Sequence, residues 1–130
     1  MDEIDVKVLE ILKRNARSKY VKVAEAVGLT EGAVRRRIKE LIKQGVIKSF
    51  TIETTVELEG IVLVKTEPTR TKEATAAISK IANRVFETSG DYDIAALIQA
   101  YTIEELNHKI DEIRRLPAVL STNTLIKLKE

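Results

Sequence analysis

Apolar residues recur every three or four positions through the first 45 residues, then switch to runs and alternations. Ile4, Val8, Ile11 and Leu12 stand at i, i+4, i+7 and i+8, the stripe of an amphipathic helix. Asp2 is placed to cap that helix, and Glu3 and Asp5 suit the positive end of its dipole. Val23, Ala24 and Val27 share one side of a short helix over 20–27, which Gly28 is placed to end in the left-handed conformation. Thr30 suits the N-cap of a third helix over 31–44, with Val34, Ile38, Leu41 and Ile42 as its apolar stripe. Gly45 stops it, and 46–52 has the composition of a strand leaving it.

The remainder predicts β-α-β-β-α-β. Gly60 to Thr66 is nearly all apolar, as for a strand buried on both faces. Thr71 is placed to cap a helix to about Asn83, with Ala74, Ile78, Ile81 and Ala82 inward. Residues 85–89 and 94–100 read as a hairpin around Gly90-Asp91-Tyr92-Asp93. Thr102 with Glu105 makes a capping box opening a helix that carries Leu106, Ile110, Ile113 and Leu116, and Pro117 ends it. From Leu120 the chain alternates, a half-buried closing strand with Thr122 and Thr124 on one face. This order is that of a ferredoxin-like sandwich, with two helices on one face of a four-stranded antiparallel sheet. One sheet face then needs a cover. Val62, Val64, Ala96 or Ile98 occupy it in one register, and a one-residue slip exchanges the faces. A second copy of the chain is the simplest cover, so a homodimer through the sheets is expected.

Charge separates the two halves. The net charge is +2, but residues 1–50 carry 12 Lys and Arg against 7 Asp and Glu, and residues 51–130 carry 10 against 13. A basic half beside an acidic one suits a chain whose first part meets a polyanion. The third helix concentrates this charge. Opposite its apolar stripe lie Gly32, Arg36, Lys39 and Lys43, flanked by Ala33, Arg35 and Arg37. Helix, short helix, glycine turn and a longer basic helix are the parts of a helix-turn-helix. Such a helix fills the major groove, and its first residues reach base edges. The candidate DNA contacts are therefore Thr30, Glu31, Gly32, Ala33, Arg35, Arg36, Arg37, Lys39 and Lys43. Gly32 and Ala33 admit close backbone approach, with Thr30 near a phosphate and Lys39 and Lys43 along the backbone. The alternatives are a plain solvated face, or an allosteric module that meets a protein in place of DNA.

Other chemistries find little support. There is no cysteine and one histidine, His108, so thiolate sites and histidine-built metal sites are not expected. No phosphate-binding glycine loop, nucleophile elbow or histidine pair occurs, so no catalytic residue is assigned. Asp91 and Asp93 suit a cation, but turn acids more often stabilise their own turn. No apolar run approaches the ~18 residues of a membrane span, and the acidic start is unlike a signal peptide. The expectation is a cytoplasmic protein without enzymatic activity, metal or resident cofactor.

Several stretches together resemble the Lrp/AsnC, or feast/famine, family of transcription regulators. They are Asp2-Glu3-Ile4-Asp5 through Val8-Leu9, Val23-Ala24-Glu25-Ala26-Val27-Gly28-Leu29-Thr30, Arg36-Arg37-Ile38-Lys39-Glu40-Leu41 with Gly45-Val46-Ile47, Ser89-Gly90-Asp91-Tyr92-Asp93, and Leu116-Pro117-Ala118-Val119 with Thr124. Ala118 stands where the family usually has glycine, and the connection from Phe50 to Gly60 is shorter than usual. The resemblance implies an α+β chain with a winged helix-turn-helix domain over 1–50, a linker strand over 51–59 and a ferredoxin-like, RAM-type domain over 60–130. It implies control of amino-acid metabolism genes, homodimers with tetramers or octamers built from them, and an amino-acid effector near the glycine-aspartate turn. Gly90, Asp91, Tyr92 and Asp93, with Thr122 and Thr124, are the effector candidates, and two carboxylates weakly favour lysine or arginine. The expected DNA target is a pseudo-palindromic duplex, matching the dimer's two-fold axis.

Overall fold

The computed structural model describes residues 1–128, with five helices and four strands among them. The chain divides into two compact units, Met1–Glu53 and Thr54–Glu130.

The first unit holds α1 (Glu3–Arg14), α2 (Tyr20–Val27) and α3 (Glu31–Lys43). A reciprocal capping box starts α1: Asp2 Oδ1 accepts from the Asp5 amide at 2.8 Å, and Asp5 Oδ2 accepts from the Asp2 amide at 3.2 Å. The core is Val8, Leu12, Val23, Ala24, Val34 and Ile38, lined further by Ile4, Ile11, Tyr20, Val27, Leu29 and Ile47. Ile42, expected in the α3 stripe, is 48% exposed. It lies at the rim because the core is only about three residues wide around the helix.

The strand expected over 46–52 is not formed. Gly45 turns left-handed at φ 76°, and the Val46 and Ile47 amides both donate to the Leu41 carbonyl. The chain thus folds back on the last turn of α3, and this unit holds no second strand to pair with it. The linker strand over 51–59 is likewise absent as such. Residues 51–57 are non-strand, and Leu58 and Glu59 belong to the following strand.

The second unit comprises β1 (Leu58–Thr66), α4 (Thr71–Ile78), β2 (Arg84–Glu87), β3 (Ile94–Ala100), α5 (Ile103–Arg114) and β4 (Val119–Ile126). The sheet order is β2-β3-β1-β4, antiparallel throughout, the ferredoxin-like order. Val62, Val64, Ile94, Ala96, Ile98 and Ala100 form one core with Ala74, Ile78, Leu106, Ile110 and Ile113 of the two helices.

This packing corrects two expectations. β1 is not buried on both faces, because its burial alternates. Val62, Val64, Ala96 and Ile98 face the helices, each fully buried. The open face carries Ile61, Leu63, Ala95, Leu97, Phe86 and Leu125, placed together by the pairs Ile61↔Leu97, Ile61↔Leu125, Leu63↔Ala95 and Phe86↔Ala95. Ile61, Phe86 and Leu125 are 42%, 47% and 51% exposed.

Two caps also differ from expectation. The N-cap of α4 is Arg70, and Thr71 lies one position inside, its hydroxyl 2.7 Å from that of Thr66. That helix ends at Ile78, with a turn over 79–81 in place of continued helix. At α5 the Thr102 hydroxyl accepts from the Glu105 amide, while the Glu105 carboxylate reaches past Thr102 to the Tyr101 amide.

Candidate nucleic-acid interface and effector turn

α3 is set up by the turn before it. Gly28 caps α2 in the left-handed conformation at φ 74°, which glycine adopts without strain. The Leu29 amide then donates to the Ala24 carbonyl at 3.0 Å. Thr30 follows as N-cap, its hydroxyl accepting from the Ala33 amide at 3.2 Å. Val34, Ile38 and Leu41 are buried, which turns the opposite side of α3 to solvent. Each such side chain contributes about 1.5–3 kcal/mol of apolar burial, so the rotation of the helix is firmly set.

On the solvent side stand Gly32, Arg36, Lys39 and Lys43, all exposed, with Ala33 half-buried beside them. Arg36, Lys39 and Lys43 make no ion pair among the described residues. The other two arginines are engaged. Arg35 pairs with Glu31 at 2.7 Å and lies 4.9 Å over the Tyr20 ring. Arg37 donates to Asp2 at 2.8 Å and to Asp5 at 3.1 Å. That hydrogen bond from Arg37 holds the Asp2 carboxyl below its ordinary range. Of the nine expected DNA contacts, the structure thus leaves Gly32, Ala33, Arg36, Lys39 and Lys43 facing outward and unengaged. It occupies Thr30, Glu31, Arg35 and Arg37 within the unit.

The turn over 90–93 closes the β2–β3 hairpin. Gly90 takes φ 109°, a conformation favouring glycine. The Thr88 amide donates to the Asp93 carbonyl at 2.9 Å, and the Thr88 hydroxyl to the Tyr92 carbonyl at 2.8 Å. Asp93 has a structural task. Its Oδ2 accepts from the Thr66 amide at 2.8 Å and lies 3.3 Å from the Thr66 hydroxyl, while its own amide donates to the Val64 carbonyl. Thr66 is buried, 4% exposed, so an amide left without this acceptor would be poorly hydrated. Asp91 is exposed, with no partner among the described residues. The Lys65 ammonium lies 5.5 Å from the Tyr92 ring centroid.

Thr122 and Thr124 are half-buried on β4, opposite Val64 and Val62. Thr122 shares the row Ile94–Val64–Thr122, which places it two strands, roughly 10 Å, from the end of the turn. The structure therefore brings Thr122 to the same end of the sheet as the turn but not into contact with it. Thr124 lies a further two residues along. No group of three or more His, Cys, Asp or Glu suited to a metal occurs among the described residues.

A helix-turn-helix with a free basic face, joined to a ferredoxin-like sandwich with an exposed glycine turn, defines a class: DNA-binding regulators with a ligand-binding domain. The comparisons agree. A model of winged helix-turn-helix DNA-binding domains matches residues 1–48, and one of the Lrp/AsnC ligand binding domain matches residues 59–130. The HTH-type transcriptional regulator LysM of Sulfurisphaera tokodaii is 48% identical, over 99% of this chain and 96% of its own. The regulator FL11 of Pyrococcus horikoshii is 35% identical, over 99% and 90%. Among solved structures, PH0061 superposes with a TM-score of 0.87 at 24% identity, covering 100% of this chain and 95% of that one. Escherichia coli AsnC gives 0.74 at 23%, covering 100% and 93%. The chain belongs to the Lrp/AsnC family of transcription regulators. Both of these relatives are HTH-type transcriptional regulators. No helix among the described residues is long and apolar enough to cross a membrane.

Asp93→Ala removes the acceptor of a buried amide and should cost on the order of 1–3 kcal/mol, read as a lower urea midpoint of the second unit, with Asp93→Asn costing less. A Cβ added at Gly32 meets only open space, so the fold does not require glycine there. Gly32→Ala should raise stability by about 0.5–1 kcal/mol, measured by chemical denaturation, and weaken DNA binding if the groove approaches that backbone.

Proposed function

We propose that the protein is a dimeric transcription regulator that reads a pseudo-palindromic duplex through α3 and answers to an amino acid at the turn over 90–93. The observation that carries the DNA part is the outward face of α3, where Gly32 leaves room and Arg36, Lys39 and Lys43 hold unpaired positive charge. A small backbone position beside an arginine suits base edges, and lysines further along suit phosphates. The open sheet face, with Ile61, Phe86 and Leu125 exposed, supports a second copy as its cover. Two copies related by a two-fold axis present two recognition helices, hence two half-sites about one or more helical turns apart. Tetramers or octamers of such dimers, a cytoplasmic location and control of amino-acid metabolism genes complete the proposal. A protein partner in place of DNA is the competing reading, and the unpaired cations of α3 speak against it.

The effector part rests on the turn. Gly90 leaves backbone amides open to a carboxylate, and Asp91 offers an unengaged carboxylate to an ammonium. Asp93 supports the turn from behind and is set aside as a direct contact. The lean toward lysine or arginine rests on two carboxylates; with Asp93 engaged, Asp91 alone stands behind it, which suits the α-ammonium of any amino acid equally. Thr122 and Thr124 join only if the ligand or a neighbouring copy spans the sheet end.

Titration against selected and scrambled duplexes at several salt concentrations tests the DNA reading. Arg36→Ala should cost about 1–3 kcal/mol on the selected duplex and relax preference at one or two positions, whereas Lys43→Ala should weaken both duplexes alike. An unchanged ratio for Arg36→Ala refutes the orientation. Footprinting should show two symmetric half-sites.

Calorimetry against the twenty amino acids, with light scattering in parallel, tests the effector. At least one should bind and change both assembly and DNA affinity, because a ligand preferring one assembly shifts the population toward it. Asp91→Ala should remove that response and leave unliganded DNA binding intact. Silence across the panel defeats this part.

A further inference from the structure

We infer that Arg37 is a positioning residue for DNA recognition, bracing α3 onto the first turn of α1, and that it does not itself touch DNA. The inference rests on the DNA-binding reading above and assigns separate tasks to the three consecutive arginines. At about 100° per residue, Arg35 and Arg37 lie to either side of Arg36 around the helix. Arg36 therefore points outward while its neighbours point to the flanks.

On one flank, Arg37 Nη1 donates to both Asp2 oxygens at 2.8 Å and to Asp5 Oδ1 at 3.1 Å. These carboxylates are not free chain ends. Each is held by the backbone of α1 through the reciprocal capping box, so the anchor is stiff before Arg37 arrives. The Asp5 side chain is 16% exposed and that of Arg37 29%, so water screens this contact less than a surface pair, while Asp2, at 57%, is the more exposed partner. Two carboxylates against one guanidinium leave the cluster net negative, which repels a phosphate. On the other flank, Arg35 closes onto Glu31 and the Tyr20 ring of α2. α3 is thus gripped from both sides, and Arg36 is the only arginine of the three with a free guanidinium among the described residues.

The consequence is specific. Groups that read base edges must be held within about 0.5 Å and 10–20° of their working geometry. Loosening the brace lowers discrimination between sequences, while the same phosphates remain neutralised. The salt dependence of binding reports those phosphates, and its slope becomes shallower by about 0.9 for each one that is no longer neutralised.

The experiment compares five variants of the full chain, Arg37→Gln, Arg37→Lys, the double change Asp2→Asn with Asp5→Asn, the combination of that double change with Arg37→Gln, and Arg36→Ala. Each is titrated against a selected operator and a scrambled duplex at four salt concentrations, with circular dichroism confirming that the helices remain folded. Asparagine keeps the N-cap and its acceptor oxygen, so the double variant removes charge without removing the cap. Arg37→Gln and the double Asn variant should each lower the operator-to-scrambled ratio by roughly threefold or more, with an unchanged salt slope. Combining them should cost no more than either alone, because both remove the same interaction. Arg37→Lys should fall between native and Arg37→Gln, because lysine keeps the positive charge but replaces the planar, delocalised guanidinium with a more strongly hydrated ammonium on a flexible stem. Arg36→Ala should lower the ratio through the loss of a base contact, with a slope that still follows the phosphates neutralised by Lys39 and Lys43.

Direct contact by Arg37 predicts the opposite sign in the double Asn variant: two negative charges vanish, the freed guanidinium reaches a phosphate, and both duplexes bind more tightly. That result, or a lower slope in Arg37→Gln, overturns the proposal. A native chain that binds neither duplex in a salt-dependent way refutes the DNA-binding reading itself, and the brace with it.

Discussion

Burial of Val34 and Ile38 against the first two helices, with Leu41 also buried, is the constraint on which the DNA-facing chemistry depends. A helix in a three-helix unit has one face to give to the core, and the 3.6-residue period then fixes what every other position can do. With those three residues buried, Arg36, Lys39 and Lys43 have no route inward. They find no counter-ion within the unit either. A rotation of α3 by one residue would expose a valine and an isoleucine and bury an arginine, a loss of several kcal/mol. The same period throws Arg35 and Arg37 to opposite flanks, where Arg35 meets Glu31 of its own helix and Tyr20 of α2, and Arg37 meets Asp2 and Asp5 at the start of α1. One apolar stripe thereby sorts five basic residues into three that face outward and two that hold.

The helices were legible in the sequence because each carries a single stripe with a recognisable start. Asp2, Thr30 and Thr102 cap where the pattern says they should. The flank arginines were not legible as a brace. Asp2 and Asp5 stand more than thirty residues before Arg37, and each already has a local explanation as the acidic start of a helix. The sheet faces were not legible for a different reason. Ile61, Val62, Leu63 and Val64 are all apolar, so period-2 alternation does not mark an inside. Only where α4 and α5 pack decides it, and that is a tertiary fact. The missing strand over 46–52 has β-rich composition, but a strand also needs a neighbour for its amides and carbonyls, which composition does not supply.

The turn over 90–93 shows how one residue type at close spacing can divide its labour. Asp91 and Asp93 are two residues apart and look equivalent in the chain. The second is drawn in by a buried amide at Thr66 that has no other acceptor, and leaving that amide unpaired would cost more than a surface carboxylate gains from a ligand. Asp93 therefore builds the turn, linking the end of β1 to the hairpin through Val64 and Thr66. Asp91 is free because nothing in the fold asks for it. A turn braced from behind and open in front suits a small ligand better than a flexible loop would, since little ordering remains to be done at binding.

The open sheet face completes the link between fold and symmetry. Its centre is apolar, through Ile61, Leu63, Leu97 and Leu125, with Phe86 toward one edge under the Arg84 guanidinium at 4.9 Å. One end is polar. Glu59 accepts from Gln99 at 3.3 Å and from Lys127 at 3.3 Å, and these contacts, the Gln99 hydrogen bond first, hold its carboxyl below the ordinary range. Lys65 and Ser121 mark the opposite end. An apolar centre within polar margins has the anatomy of a protein interface more than that of a solvated sheet. If the cover is a second copy, the contact is isologous, because the same face serves both partners. The two-fold axis then carries over to the recognition helices, and the symmetry expected of the DNA site originates in which side of β1 the helices chose to cover.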